Sequence, residues 1–163
     1  MNGTAARPWA LAGAVCGLVV AADQAAKAAV EARLVPGEDV DLLGPLGLTL
    51  AHNRGVAFGL AGGAGVKLVL LTAATLAVIG FLFSRDPGKP GMWVAVGLLA
   101  GGAIGNLADR VRADAVTDFI AVGAWPAFNL ADVSITLGVL LLAFLSLREA
   151  EQRDDADPEA GGG

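Results

Sequence analysis

The run Val66–Phe83, VKLVLLTAATLAVIGFLF, carries one charge in its whole length, Lys67 near its start. A bilayer-spanning helix takes about 20 mostly apolar residues. Backbone groups in hydrocarbon must pair among themselves, so a run of this kind spans as a helix. Working outward, the turn-rich link Arg85-Asp86-Pro87-Gly88-Lys89-Pro90 leads to a second apolar run, Met92–Ala108, rich in glycine. Phe128–Leu147 is a third, with Asn129 and Asp132 near its beginning. Trp9–Val30 is the fourth, opened by Pro8 in a favoured helix-start position and interrupted by Asp23 and Lys27. It lacks a convincing small-x-small cleavage site, and three spans follow it, so it reads as a helix and not a leader. Composition agrees. Apolar residues make up 55% of the 163 and charged ones 17%, below the roughly 25% of soluble domains, and the mean hydropathy is +0.65. The expected fold is an all-α membrane protein with spans at about 9–30, 66–83, 92–108 and 128–147.

The segments between spans differ. In Val35–Leu60, Leu46, Leu48 and Leu50 alternate with Gly47 and Thr49 after a Gly44-Pro45 turn. That pattern predicts a small β-hairpin, at about 35–60, lying at one membrane face. Residues 1–148 form one membrane domain. The remainder, 149–163, gathers Glu149, Glu151, Asp154, Asp155, Asp157 and Glu159 against Arg153 alone and is expected to be a disordered acidic tail. Four spans put both termini on one side. Basic residues are spread over both faces, and the dense short loop Arg85–Lys89 favours cytoplasmic termini. No basic cluster invites nucleic acid. Cys16 is alone in an apolar run and His52 is the one histidine, so neither a disulfide nor a His/Cys zinc site can be assembled.

Against this apolar background the polar residues at span ends stand out. Asp23, Asn106, Asp109, Arg110, Asn129 and Asp132 all map, by topology, to the end that bears the Val35–Leu60 hairpin. Asp118, between the third and fourth spans, belongs there too. An acid at a helix centre costs roughly 2.5–3.5 kcal/mol on insertion scales, so such residues are expensive. Plain structural roles exist for most of them. Asp23 and Lys27, four apart, suit an ion pair. Asp109 and Arg110 suit a helix end at the interface, and Asn129 an N-cap. Gly97, Gly101 and Gly105 recur every four residues and permit close helix approach. Two carboxylates held together out of bulk water also suit hydrolysis, because one keeps a proton while its partner is free to activate water. This reasoning selects no particular pair of aspartates, and it leaves an ion path open.

Four motif blocks in order narrow the choice. Asp23-Gln24-Ala25-Ala26-Lys27 resembles the D-Q-x-x-K of lipoprotein signal peptidases (signal peptidase II). Asn53-Arg54-Gly55-Val56-Ala57-Phe58 is similar to that family's N-x-G-x-A-F. Residues 101–110, GGAIGNLADR, with Val116-Thr117-Asp118-Phe119, are similar to G-G-A-x-G-N-x-x-D-R and V-x-D-F. Pro126-Ala127-Phe128-Asn129-Leu130-Ala131-Asp132 is similar to P-x-F-N-x-A-D. The resemblance covers about residues 9–147.

It implies an intramembrane aspartyl endopeptidase that removes the signal peptide of a diacylglyceryl-modified prolipoprotein, cutting before the lipidated cysteine. By position, Asp118 and Asp132 match the catalytic pair. Asn53, Asn106, Arg110 and Asn129 match residues lining the site, and Asp23, Lys27 and Asp109 match supporting positions. The implied fold adds a β-cradle outside the bilayer, which the 35–60 hairpin fits. The implied setting is a bacterial inner membrane, with the site near the outer face and lipids around a monomer. No cofactor or metal is implied. Two departures stand out: Thr117 where the family often has valine, and a short link from Asp118 to Asp132 with Gly123-Ala124 at its middle.

Overall fold

A computed structural model of the chain describes residues 3–55 and 64–156. Val56, Ala57 and Phe58 of the asparagine block, the end of the 35–60 segment and residues 157–163 of the tail lie outside the described residues. Four helices are long and apolar enough to cross a membrane: α1 (Gly3–Glu31), α2 (Ala64–Arg85), α3 (Met92–Ala113) and α4 (Leu130–Ala156). Each runs past the C-terminal end of its predicted span, while the fourth starts at Leu130 and not at the predicted Phe128, which lies in a strand. Pro8 lies inside α1 and does not open it, so the helix forgoes one backbone hydrogen bond there. α4 continues through Glu149–Ala156, where disorder was expected. Glu, Gln, Arg and Ala are strong helix formers, and Glu149 pairs with Lys89 at 2.6 Å.

α3 is the hub, packed against α1, α2 and α4, and it is by far the most buried of the four. Glycine makes this possible. A Cβ on Gly97 would lie 2.7 Å from Val15 Cβ, and one on Gly101 2.7 Å from Val19 Cβ and 2.9 Å from the Cys16 carbonyl. A Cβ on Gly102 would collide with the Ala131 carbonyl on α4. The outer helices turn large apolar side chains such as Leu18, Leu70, Phe81 and Leu140 outward, as lipid-facing surfaces do. One buried apolar cluster lies away from the polar residues. It joins Ala12, Phe83 and Val96, with Trp9 edge-on to Phe83 at 4.7 Å, at the end holding the α2–α3 turn.

The opposite end carries a four-stranded antiparallel sheet in the order β1-β2-β3-β4. β1 (Asp39–Leu43) and β2 (Leu46–Asn53) form the predicted hairpin, with Gly44 at φ 56 in its turn. β3 (Val116–Val122) and β4 (Trp125–Phe128) form a second hairpin that the sequence reading left as a short link. β2 pairs with β3, setting Ala51 opposite Asp118 and Asn53 opposite Val116. The α1–α2 and α3–α4 connections are thus stitched into one cradle over the same end of the bundle.

Candidate active site

The chain has four asparagines, and three of them, Asn53, Asn106 and Asn129, converge beneath the sheet with the carboxylates of Asp118 and Asp132. Asp118, on β3, is 3% exposed. Its Oδ1 accepts from Asn129 Nδ2 at 2.7 Å and its Oδ2 from Asn53 Nδ2 at 3.0 Å. Burial pushes its carboxyl above the usual carboxylate range. The neighbouring Asp132 charge adds to that rise. Hydrogen bonds from Asn53 and Asn129, and the Lys27 charge, oppose it without cancelling it.

Asp132 sits three residues into α4. Asn129 is the N-cap, its Oδ1 accepting from the Asp132 N–H at 3.0 Å, while Asp132 Oδ2 accepts from the Asn129 N–H at 3.4 Å. This reciprocal capping box has Asp in place of the usual Glu. It fixes the carboxylate against the helix N-terminus, where the dipole favours negative charge. Asp132 Oδ1 accepts from Asn106 Nδ2 at 2.8 Å. Asn129 therefore bridges the two aspartates, with its side-chain NH2 on Asp118 and its cap on Asp132.

Each asparagine is held by its oxygen so that its NH2 group faces a carboxylate. Asn53 Oδ1 accepts from the Gly55 N–H at 2.8 Å. Gly55 holds φ at 73, a backbone conformation that favours glycine, and packs beside the movable tip of Leu68. Asn129 Oδ1 is held by the helix cap. Asn106 Oδ1 accepts from Lys27 Nζ and from Asn129 Nδ2, both at 3.2 Å.

Behind these groups lies a second buried layer. Lys27 Nζ sits 2.7 Å from both Asp23 Oδ2 and Asp109 Oδ2. The expected Asp23–Lys27 pair is present, but Asp109 turns inward to join it and does not merely end a helix, because α3 continues to Ala113. Asp23 Oδ1 accepts from the Ala131 N–H at 2.9 Å, capping α4 from α1. Gly105 leaves room for this, since a Cβ there would lie 2.8 Å from Asp23 Oδ2. Gln24 and Thr117 complete the layer, although neither was counted among the candidate site residues. Gln24 Nε2 donates to Asp109 Oδ1 at 2.8 Å, and the Thr117 N–H to Asp109 Oδ2 at 3.3 Å. The β-branched run Val116–Val122 before Gly123 was the available signal for Thr117. For Gln24 the signal was its place beside Asp23. Among the described residues no buried side-chain nitrogen or oxygen lacks a partner.

A cavity of about 610 Å³ opens beside Asp132. Its polar end is Asn53, Asn106, Arg110 and Asp132, and its apolar length runs down α2 through Leu68, Leu71 and Ile79 toward Leu99 and Ile135. Asp118 does not line it; Asn53 and Asn129 stand around that carboxylate. Arg110 donates to the Asn106 carbonyl at 3.3 Å and makes no ion pair among the described residues. Arg110 is also part of the cavity wall. Among the described residues no His/Cys/Asp/Glu group is arranged to hold a metal.

Known proteins share this arrangement of chain. The model of the family described as Signal peptidase (SPase) II matches residues 15–148. A lipoprotein signal peptidase of Pelotomaculum thermopropionicum is 39% identical over 142 residues, covering 85% of this chain and 92% of that one. One from Dehalococcoides mccartyi is 39% identical over 155 residues, covering 90% and 94%. A bacterial membrane enzyme solved by the in meso method at 2.3 Å superposes with a TM-score of 0.78 at 30% identity, covering 86% of this chain and 90% of that one. Four apolar helices, a cradle closing one end and a match over most of the length agree: this chain belongs to the signal peptidase II family.

Proposed function

We propose that the protein is an intramembrane aspartyl endopeptidase that removes the signal peptide from diacylglyceryl-modified prolipoproteins, with Asp118 and Asp132 as its catalytic pair. The observation that carries this reading is the bridge made by Asn129, which ties Asp132, at the polar end of a largely apolar cavity, to the Asp118 carboxylate of another element. Carboxylates so coupled share a proton readily. Burial of Asp118 makes it the natural holder of that proton. Asp132, which borders the cavity, is then the base.

In this reading the acyl chains and signal helix stay in the bilayer, and the scissile peptide enters sideways along α2. Asp132 takes a proton from a water as its oxygen adds to the carbonyl carbon. Asp118 gives its proton to the carbonyl oxygen. Collapse of the tetrahedral adduct breaks the C–N bond, and the amine of the lipidated cysteine leaves with a proton from Asp132 while the oxygen proton returns to Asp118. The cut falls before that cysteine. Asn53, Asn106 and Asn129 hold the carboxylates, and Arg110 offers a cation for substrate backbone or headgroup oxygens. Asp23, Lys27 and Asp109 support them from behind. The site faces the outer side of a bacterial inner membrane, with cytoplasmic termini and a monomeric chain.

The test is a gel-shift cleavage assay in detergent with a diacylglyceryl-modified prolipoprotein, its unmodified form, and the Asp118→Asn and Asp132→Asn variants. Cleavage of the lipidated substrate only, lost in both variants at wild-type expression and folding, is the expected result. Retained turnover by either variant removes the assignment of the pair.

A further inference from the structure

Lys27 is 3% exposed and touches neither Asp118 nor Asp132. An ammonium has three donors and no acceptor. Here the three are directed at Asp23 Oδ2 (2.7 Å), Asp109 Oδ2 (2.7 Å) and Asn106 Oδ1 (3.2 Å). A clamp between α1 and α3 would need only the two carboxylates. The third contact falls on the one buried amide whose other end, Nδ2, donates to Asp132 at 2.8 Å.

We propose that Lys27 is a positioning residue for the reaction: through Asn106 it fixes which end of that amide faces Asp132. This rests on the assignment of Asp118 and Asp132 as the catalytic pair. An amide is nearly symmetric in shape, and only its partners choose its orientation. Turned over, Asn106 would set NH2 against the ammonium and its oxygen against the Asp132 carboxylate, two repulsive contacts in place of two attractive ones. Asn129 Nδ2, on the same oxygen, reinforces the choice. The ammonium is itself fixed from α1 and α3, with further charged groups close around it. On α1 it meets Asp23, and Glu31 reaches the Thr117 hydroxyl at 2.7 Å; on α3, Asp109 meets it directly, Arg112 reaches Gln24 at 2.6 Å, and Arg110 holds the Asn106 carbonyl. The Lys27 charge also reaches Asp118, whose carboxyl it draws down against the effect of burial.

Lys27→Met removes the donor at nearly constant length. The expected result is a kcat lower by about 100-fold, the order of loss that small misplacement of a reacting group produces, with KM within about twofold and the alkaline limb of the pH profile moved upward. In the Asn106→Ala background Lys27→Met is expected to add less than about twofold, because coupled residues are non-additive. Val19→Ala supplies the control for loosening alone: it thins the α1–α3 contact away from this chain of bonds, lowering Tm with the pH profile unmoved. A Lys27→Met enzyme with unchanged kcat, one that loses activity only in proportion to its folded fraction with the limb unmoved, or full additivity with Asn106→Ala would each overturn the proposal.

Where Lys27→Met does not fold, the wild type decides. With 15N-asparagine labelling, the Asn106 NH2 group, identified by its loss in Asn106→Ala, is expected to give two resolved protons with a nuclear Overhauser contact to the Asp132 methylene. A single averaged resonance, or contacts to the Lys27 methylenes instead, overturns it. That readout does not depend on turnover, so it separates failure of this proposal from failure of the peptidase reading, which the Asp118→Asn and Asp132→Asn assay addresses alone.

Discussion

At the scale of single residues, Asp118 is the most informative group. Its carboxyl is raised first by burial and then by the Asp132 charge, and lowered by the Asn53 hydrogen bond. A 13C-carboxyl titration in micelles is therefore expected to place its midpoint above that of a free aspartate. Asp132→Asn should lower the midpoint and Asn53→Ala should raise it; movement of either in the opposite direction refutes the causes given. The sign carries into stability. A carboxyl whose folded value lies above its unfolded one stabilises fully below the unfolded value and loses that contribution as pH rises through the folded one. The Tm of Asp118→Asn relative to wild type should therefore climb as pH is raised from the ordinary carboxylate range toward neutrality. A flat difference across that window would mean that Asp118 is not shifted.

At the scale of elements, the helices were legible because twenty-residue apolar runs admit one structure in a bilayer. The polar residues were legible as misfits: Asp23, Lys27 and Asn129 take the ion-pair and cap roles their spacing suggested. What the chain did not disclose locally was long-range pairing. β3 and β4 are short, and their place was fixed only by β2, some 65 residues earlier in the chain, as the Asn53–Asp118 bond shows. For the same reason the plain helix-end role was as open for Asp109 as a supporting one, since its partners Lys27 and Gln24 lie on another helix. The close α1–α3 packing makes its own prediction. Gly101→Ala would put a methyl against Val19 Cβ and the Cys16 carbonyl, and overpacking of this kind costs about 1–3 kcal/mol. Thermal unfolding in detergent should show the loss. Adding Val19→Ala should not restore it, because the backbone carbonyl at 2.9 Å stays in place.

At the scale of the whole molecule, apolar packing and polar chemistry are segregated along the bundle axis. The Trp9–Phe83 cluster fills one end, and the aspartates lie beneath the sheet at the other. A peptidase acting on a lipid-anchored substrate gains from this, since the cut is made beside the interface while the acyl chains never leave hydrocarbon. On the proposed reading the cavity along α2 is the side entrance, and Thr72, which lines it, is a place to close it. Thr72→Trp is expected to reduce cleavage of the lipidated substrate at least about tenfold, as filling a preformed apolar site does, without lowering Tm. The proposed orientation can be tested directly. With cytoplasmic termini, the sheet and the α2–α3 turn lie on opposite sides of the membrane. Cys16 is the one cysteine, so a Cys16→Ser background leaves the chain open to single-site labelling. Asp41→Cys on exposed β1 should react with a membrane-impermeant maleimide in cells whose outer barrier alone is breached, and Gly88→Cys in the α2–α3 turn only after lysis. The reverse pattern would put the aspartate pair on the cytoplasmic side, away from the face on which the proposed substrate presents its lipidated cysteine.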